Sequence, residues 1–168
     1  RELGHGEANA TNAIMFIGPV GLLCAGDPLL AELMSVDVGA VNQHGTPRDV
    51  AGAYAAVLAA TFLPGMTVER LVEIGLEHTR HARRTKEILA MVGLARQCRD
   101  CDTFIERYYA EILGRLLPYR DEQHEDSAAC VSWNSSEVLG PVLATLLITK
   151  GEDPAGLMLA CAKFGRDA

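Results

Sequence analysis

The chain has almost no stretch in which apolar and polar residues alternate, and that absence removes β-sheet as its organising element. It also lacks any apolar run approaching the ~20 residues that a membrane-spanning helix needs, so no helical span is expected. Positive charge is in deficit: 15 Lys and Arg face 22 Asp and Glu, for a net charge of −7. A surface of that sign repels phosphate backbones and anionic lipid, which excludes nucleic acid and membrane as main partners. No internal repeat and no low-complexity tract is present. Nor can the cysteines all pair with one another, because there are five (24, 98, 101, 130 and 161). Cys24 and Cys161 lie inside apolar runs, where free thiols behave as small hydrophobes, and a reducing, cytoplasmic setting fits them best. The chain opens on Arg1-Glu2-Leu3 with no initiator methionine and stops at Gly165-Arg166-Asp167-Ala168, so the expectation is a piece of a larger domain, incomplete at both ends.

What is present is the composition of a well-packed helical protein. The 168 residues are 49% hydrophobic and 22% charged, enough for one sizeable core and too few for two comfortable domains. Helix punctuation recurs at short intervals. Asn12 to Ala25 is almost wholly apolar, interrupted by Pro19 and two glycines. Asp27-Pro28 reads as an N-cap with proline at the first helical position, opening a helix to about Asn42. After the turn Gln43-His44-Gly45, Thr46-Pro47-Arg48-Asp49 is expected to cap a helix whose Val50 to Leu63 offers water almost nothing. Pro64-Gly65 should end it, and Thr67 caps an amphipathic helix with Val68, Leu71, Val72 and Leu76 on one face. A basic stretch from His78 to Lys86 leads into a helix carrying Ile88, Met91, Val92 and Ala95, and Asp102 is expected to open the next. Pro118 to Asn134 reads as a long polar loop, Ser135-Ser136-Glu137 restarts helix, and Asp153-Pro154 repeats the cap-and-proline device. The plan is all-α, with about eight helices and no sheet. Three of the segments are apolar all round, which implies further packing neighbours.

Several residues qualify as candidate site groups. Cys98-Arg99-Asp100-Cys101 has the spacing of half a zinc site, but with no second pair it reads as two thiols between helices. His78 and His81 sit among Arg80, Arg83 and Arg84, which would repel a cation, so a solvated basic helix terminus is expected there. His124 falls in an acidic, solvated loop. His44 is different, because a short turn between two buried helices would present its ring from a rigid corner; interhelical packing and ligand contact both fit it. Thr11 and Asn12 head the first apolar helix, where they serve either as simple caps or as contacts to an anionic or hydroxyl-rich ligand. Asp167 follows Gly165 just past the last helix and projects from a sharp turn, a good position for one carboxylate of a metal site.

Taken in order, these segments resemble the ADP-ribosylglycohydrolase family. Residues Ala10 to Pro28 (ATNAIMFIGPVGLLCAGDP) are similar to its Gly-Asn-Gly start, Pro-x-Gly helix and Ala-Gly-Asp-Pro stretch. Asn42-Gln43-His44-Gly45-Thr46-Pro47-Arg48 resembles its histidine turn, and Ser135 to Leu147 resembles its late buried helix. Gly165-Arg166-Asp167-Ala168 resembles the start of its Gly-x-Asp-x-Asp-Thr/Ser metal motif. The resemblance implies an all-α orthogonal helical bundle, residues 1–168 forming the C-terminal part of a single domain. It further implies hydrolysis of N- or O-glycosidic ADP-ribosyl linkages, with two magnesium ions orienting a water and polarising ribose hydroxyls. Its partner would be an ADP-ribosylated protein or a small ADP-ribose conjugate. Residue by residue, Asp167 would be a metal ligand, His44 would lie near the ADP-ribose, and Thr11, Asn12 and Met15 would form the wall around its ribose. No catalytic residue is assigned.

The sequence also departs from that pattern. Phe16 stands where the family commonly has arginine, Thr11-Asn12 replaces Asn-Gly, and no Thr-Asp-Asp cluster occurs anywhere. The 168 residues alone are therefore expected to be inactive. The same fold could also serve hydrolysis of a smaller N-riboside, or a non-catalytic, crystallin-like or ligand-binding role.

Overall fold

The structure is a computed structural model that describes residues 11–43, 45–113 and 134–165, with the Asn12 side chain excepted. Among the described residues the chain is all-α, as the sequence implies. Nine α-helices follow in order: α1 Asn12–Phe16, α2 Gly18–Leu23, α3 Pro28–Gly39, α4 Thr46–Ala60, α5 Val68–His78, α6 Ala82–Ala95, α7 Cys101–Arg107, α8 Ser136–Thr149 and α9 Pro154–Phe164. A π-helical turn, Tyr108–Ile112, continues α7.

Caps predicted from short polar side chains are in place where the local geometry permits. Asp27, Thr67 and Asp153 each accept a backbone N–H three residues on, at 3.0, 3.2 and 2.8 Å, and so satisfy donors that a helix start leaves open. Other boundaries differ. The first apolar segment is two helices, because α1 gives way at Ile17 just before Gly18-Pro19. The N-cap of α4 is Gly45, at φ 69°, a left-handed conformation that favours glycine; Thr46 is already helical. α4 ends at Ala60, ahead of Pro64-Gly65. Asp100, rather than Asp102, caps α7 by accepting the Thr103 N–H at 2.8 Å. Pro141 lies inside α8, and the helix continues through it to Thr149.

α4 sits at the centre of the first half, packed by α1, α2, α3, α5 and α8. It is surrounded, as its composition demanded: Val50, Ala51, Ala53, Ala55, Ala56, Ala59 and Ala60 are inaccessible to water. Small side chains let backbones approach. A Cβ on Gly21 of α2 would lie 3.0 Å from the Ala55 carbonyl oxygen. α6 and α8 form the second pairing, and there Phe104, Tyr108 and Phe164 fill a separate core with Met91 and Leu94. The apolar faces of α3 and α9 remain exposed at Leu29, Leu30, Leu33, Met158 and Leu159. No helix of the described residues is long and apolar enough to cross a membrane.

Candidate functional site

The head of α1 and the turn before α4 are brought together by one hydrogen bond. The Ala13 N–H donates to Oε1 of Gln43 at 2.6 Å, across 30 residues of chain. Thr11, just before α1, is buried, whereas Met15 is 70% exposed and Phe16 40% exposed. α1 therefore presents Met15 outward from a fixed start. Thr11 is the N-cap residue of α1 and its carbonyl accepts the Ile14 N–H at 3.1 Å, but its side chain makes no capping bond to the helix. Asn12 belongs to α1, but its side chain lies outside the described residues, as do His44 and Asp167. Thus Thr11, Met15 and the residues flanking His44 share one region of the fold.

The basic stretch from His78 to Lys86 is solvated at Arg80, His81, Arg83 and Lys86, as its composition implied, while His78 and Arg84 are drawn inward. Carboxylates from three other positions neutralise it. Glu32 on α3 takes the Arg80 guanidinium through both oxygens, at 2.8 Å each, and the His78 Nδ1 at 2.5 Å. Asp49, in the first turn of α4, accepts the N–H groups of Arg80 and His81 at 2.8 and 2.9 Å. Glu87, only 2% exposed, pairs with Arg84 at 2.8 Å and Arg83 at 3.0 Å. Arg84 reaches further. Its NH1 donates to Asn134 Oδ1 at 2.5 Å and its NH2 lies 3.4 Å from the Thr46 hydroxyl. Ser136, at the start of α8, donates its hydroxyl to Glu87 at 2.5 Å. A buried polar cluster therefore ties the first turn of α4, the start of α6 and the start of α8.

The charges in this cluster are stabilised in place. Burial works against an ionised Glu87, but the Ser136 hydroxyl and the Arg84 guanidinium outweigh it and hold the carboxyl below its ordinary 4.5. Burial likewise opposes the Glu32 charge, and the hydrogen bonds from Arg80 and His78 overcome it. Both groups are thus structural anions at neutral pH. Cys98 and Cys101 are free thiols, and burial raises the Cys101 thiol above its usual range. Among the described residues no three His, Cys, Asp or Glu side chains converge to hold a metal ion. His124 lies outside the described residues. Two shallow cavities, of 270 Å³ beside Gln97, Arg107 and Glu111 and of 130 Å³ beside Cys101, Asp102 and Lys163, contain none of the predicted site residues.

Gln43, Arg84, Glu87 and Asn134 carry no signal that reading the sequence could use. Their partners lie 30 to 50 residues away. Only the spacing of Arg84 and Glu87, three apart on one helix, hinted at a pair.

Helices packed around a surrounded α4, with Glu87, Asn134 and Ser136 buried among them, define an all-α protein. A family model described as ADP-ribosylglycohydrolase matches residues 1–168. The chain belongs to the ADP-ribosylglycohydrolase family. That membership supports hydrolysis of ADP-ribosyl-type linkages as the class of reaction. No curated protein and no solved structure gives a match to the chain.

Proposed function

We propose that the protein is a magnesium-dependent hydrolase of N- or O-glycosidic ADP-ribosyl linkages, acting on an ADP-ribosylated protein or a small ADP-ribose conjugate. The observation that carries this reading is the family match over the whole of residues 1–168, which includes every motif segment at once. The Gln43–Ala13 bond supports it, because it joins the segment of Thr11, Asn12 and Met15 to the residue preceding His44. In this reading those four residues line the ADP-ribose, with exposed Met15 offering apolar surface to the sugar. Magnesium would supply charge stabilisation and a positioned water. Among the described residues no three His, Cys, Asp or Glu side chains converge on a metal, and Asp167, which lies outside them, would be a ligand. A reducing cytoplasmic setting belongs to the same proposal and is supported by the free thiols of Cys24, Cys98, Cys101 and Cys161.

Two substitutions in the full-length protein test the reading. Asp167→Ala should lower turnover of an ADP-ribosylated substrate by orders of magnitude while the melting curve stays near wild type. Near-normal turnover at saturating magnesium would make Asp167 a plain helix-end residue. His44→Ala should weaken ADP-ribose binding more than magnesium binding in calorimetric titrations. A lowered melting point with unchanged affinity would assign His44 to packing instead.

A further inference from the structure

Gln43 is fully buried, an uncommon situation for an amide side chain, and the ligand-wall reading gives it no contact with ligand. Its Oε1 accepts the Ala13 N–H at 2.6 Å, and its own N–H is bound to the Gly39 carbonyl at 2.9 Å. Ala13 is the second residue of α1, so this bond satisfies a donor that the start of a helix leaves open. The packing converges on the same point. A Cβ on Gly39 would lie 3.7 Å from the Ala13 Cβ and 3.3 Å from Arg48 Cγ, so α1, the end of α3 and the start of α4 meet there. Arg48 in turn donates to the Val36 carbonyl at 3.1 Å and fixes the end of α3. α1 has only five residues and no side-chain cap from Thr11, so its start depends on outside partners.

We propose that Gln43 is a positioning residue that holds the head of α1 against the turn before α4 and thereby sets the spacing between the two segments of the ligand wall. The proposal rests on the ADP-ribosyl reading for its functional consequence. A neutral amide suits the task, because it brings a strong acceptor into a buried place without burying a charge. The gain lies in preorganisation: a wall already spaced for its ligand loses less ordering entropy on binding.

The test uses the full-length protein and two kinds of measurement. Gln43→Met keeps the length of the side chain and removes the acceptor, whereas Gln43→Glu restores an acceptor oxygen. Hydrogen exchange at the Ala13 amide and the Thr46 amide resonance, both read by NMR, report the coupling directly; titration of ADP-ribose at fixed magnesium reports its consequence. Gln43→Met should speed Ala13 exchange, shift the Thr46 resonance and weaken ADP-ribose binding by about tenfold, the equivalent of one hydrogen bond. Gln43→Glu should return the two amide signals toward wild type at low pH, where its buried carboxyl is neutral, and not where it is charged. A Gln43→Met protein that melts earlier, yet keeps wild-type Ala13 exchange and ADP-ribose affinity, would overturn the proposal. If wild-type protein fails to bind ADP-ribose, the functional reading falls and the two amide signals alone judge the coupling: changed signals uphold it, unchanged signals end it. Should Gln43→Met not fold, Gln43→Asn withdraws the oxygen by one methylene and is read in the same way.

Discussion

The two cores of the molecule are built from different materials. Around α4 the buried residues are mostly alanine and small aliphatics, and among the described residues this cluster buries no aromatic ring completely. Around α7 and α9 the core is aromatic: Phe164 lies 4.7 Å from the Tyr108 ring and stacks on Phe104 at 6.1 Å. The difference bears on precision. Alanine lets helices approach until backbones nearly touch, so small errors are felt at once. Aromatic rings contribute large buried areas and hold helices further apart, in tilted or stacked pairs. The alanine core carries α1 and the turn before α4, the proposed ligand wall. The aromatic core holds Phe164, three residues before Asp167, and the Tyr109 hydroxyl donates to the Phe164 carbonyl at 2.7 Å.

Breaking the aromatic side should give the largest effect. Phe164→Ala is expected to cost about 3–5 kcal/mol in denaturant unfolding, because it empties a fully packed ring position. Tyr109→Phe removes only the hydroxyl bond to the Phe164 carbonyl and should cost about 1 kcal/mol. If both variants behaved alike, the aromatic core would not be what holds the end of α9.

The junction between the cores comes next. Glu87→Gln keeps the shape but leaves Arg84 without its anion, and a loss of about 1.5–3 kcal/mol is expected. Its pH dependence has a definite sign. Because the Glu87 carboxyl is held below its ordinary 4.5 in the folded state, its contribution is complete above that value and is lost as pH falls below it. Wild-type stability should therefore drop on acidification below about 4.5, and Glu87→Gln should drop less steeply. Parallel acid limbs in the two unfolding series would remove Glu87 from the account.

The alanine side is tested with the smallest change. Gly21→Ala would set a methyl 3.0 Å from the Ala55 carbonyl oxygen and from Leu58, and a loss of about 1–3 kcal/mol is expected. Gly93→Ala, in the interior of α6 where nothing lies within 4 Å, should instead be neutral or raise stability by up to about 1 kcal/mol, as alanine in a helix does. Equal melting points for these two variants would deny that close backbone approach shapes the first core.

The helix inventory was legible wherever a signal and its effect were neighbours in sequence. Asp27-Pro28, Thr67 and Asp153-Pro154 announce helix starts through bonds that span three residues, and the apolar surface of α4 announces its own enclosure. The choice of Asp100 over Asp102 was not legible, since two carboxylates two residues apart offer the same chemistry. The partners of the basic stretch were out of reach for another reason. Local sequence shows His78, Arg80 and Arg84 as a cluster of like charge; the carboxylate of Glu32 that answers it is 46 and 48 residues away. Gln43 falls in the same class. In a turn it reads as a polar filler, and only the fold reveals the amide it serves.

The placement of the ion pairs has a consequence for experiments in salt. Arg70 with Glu73 and Glu77, and Lys163 with Asp102, have side chains between 47% and 69% exposed. Ions shorten the reach of such contacts to about 8 Å at physiological strength and less beyond it. The Glu87 side chain is 2% exposed, its Arg84 partner 11%, and both are withdrawn from the ionic atmosphere. Raising ionic strength should therefore weaken the outer pairs and leave the Glu87–Arg84 pair intact. A stability series in sodium chloride should then separate Glu87→Gln, whose loss persists at high salt, from Lys163→Ala, whose small loss fades as salt rises.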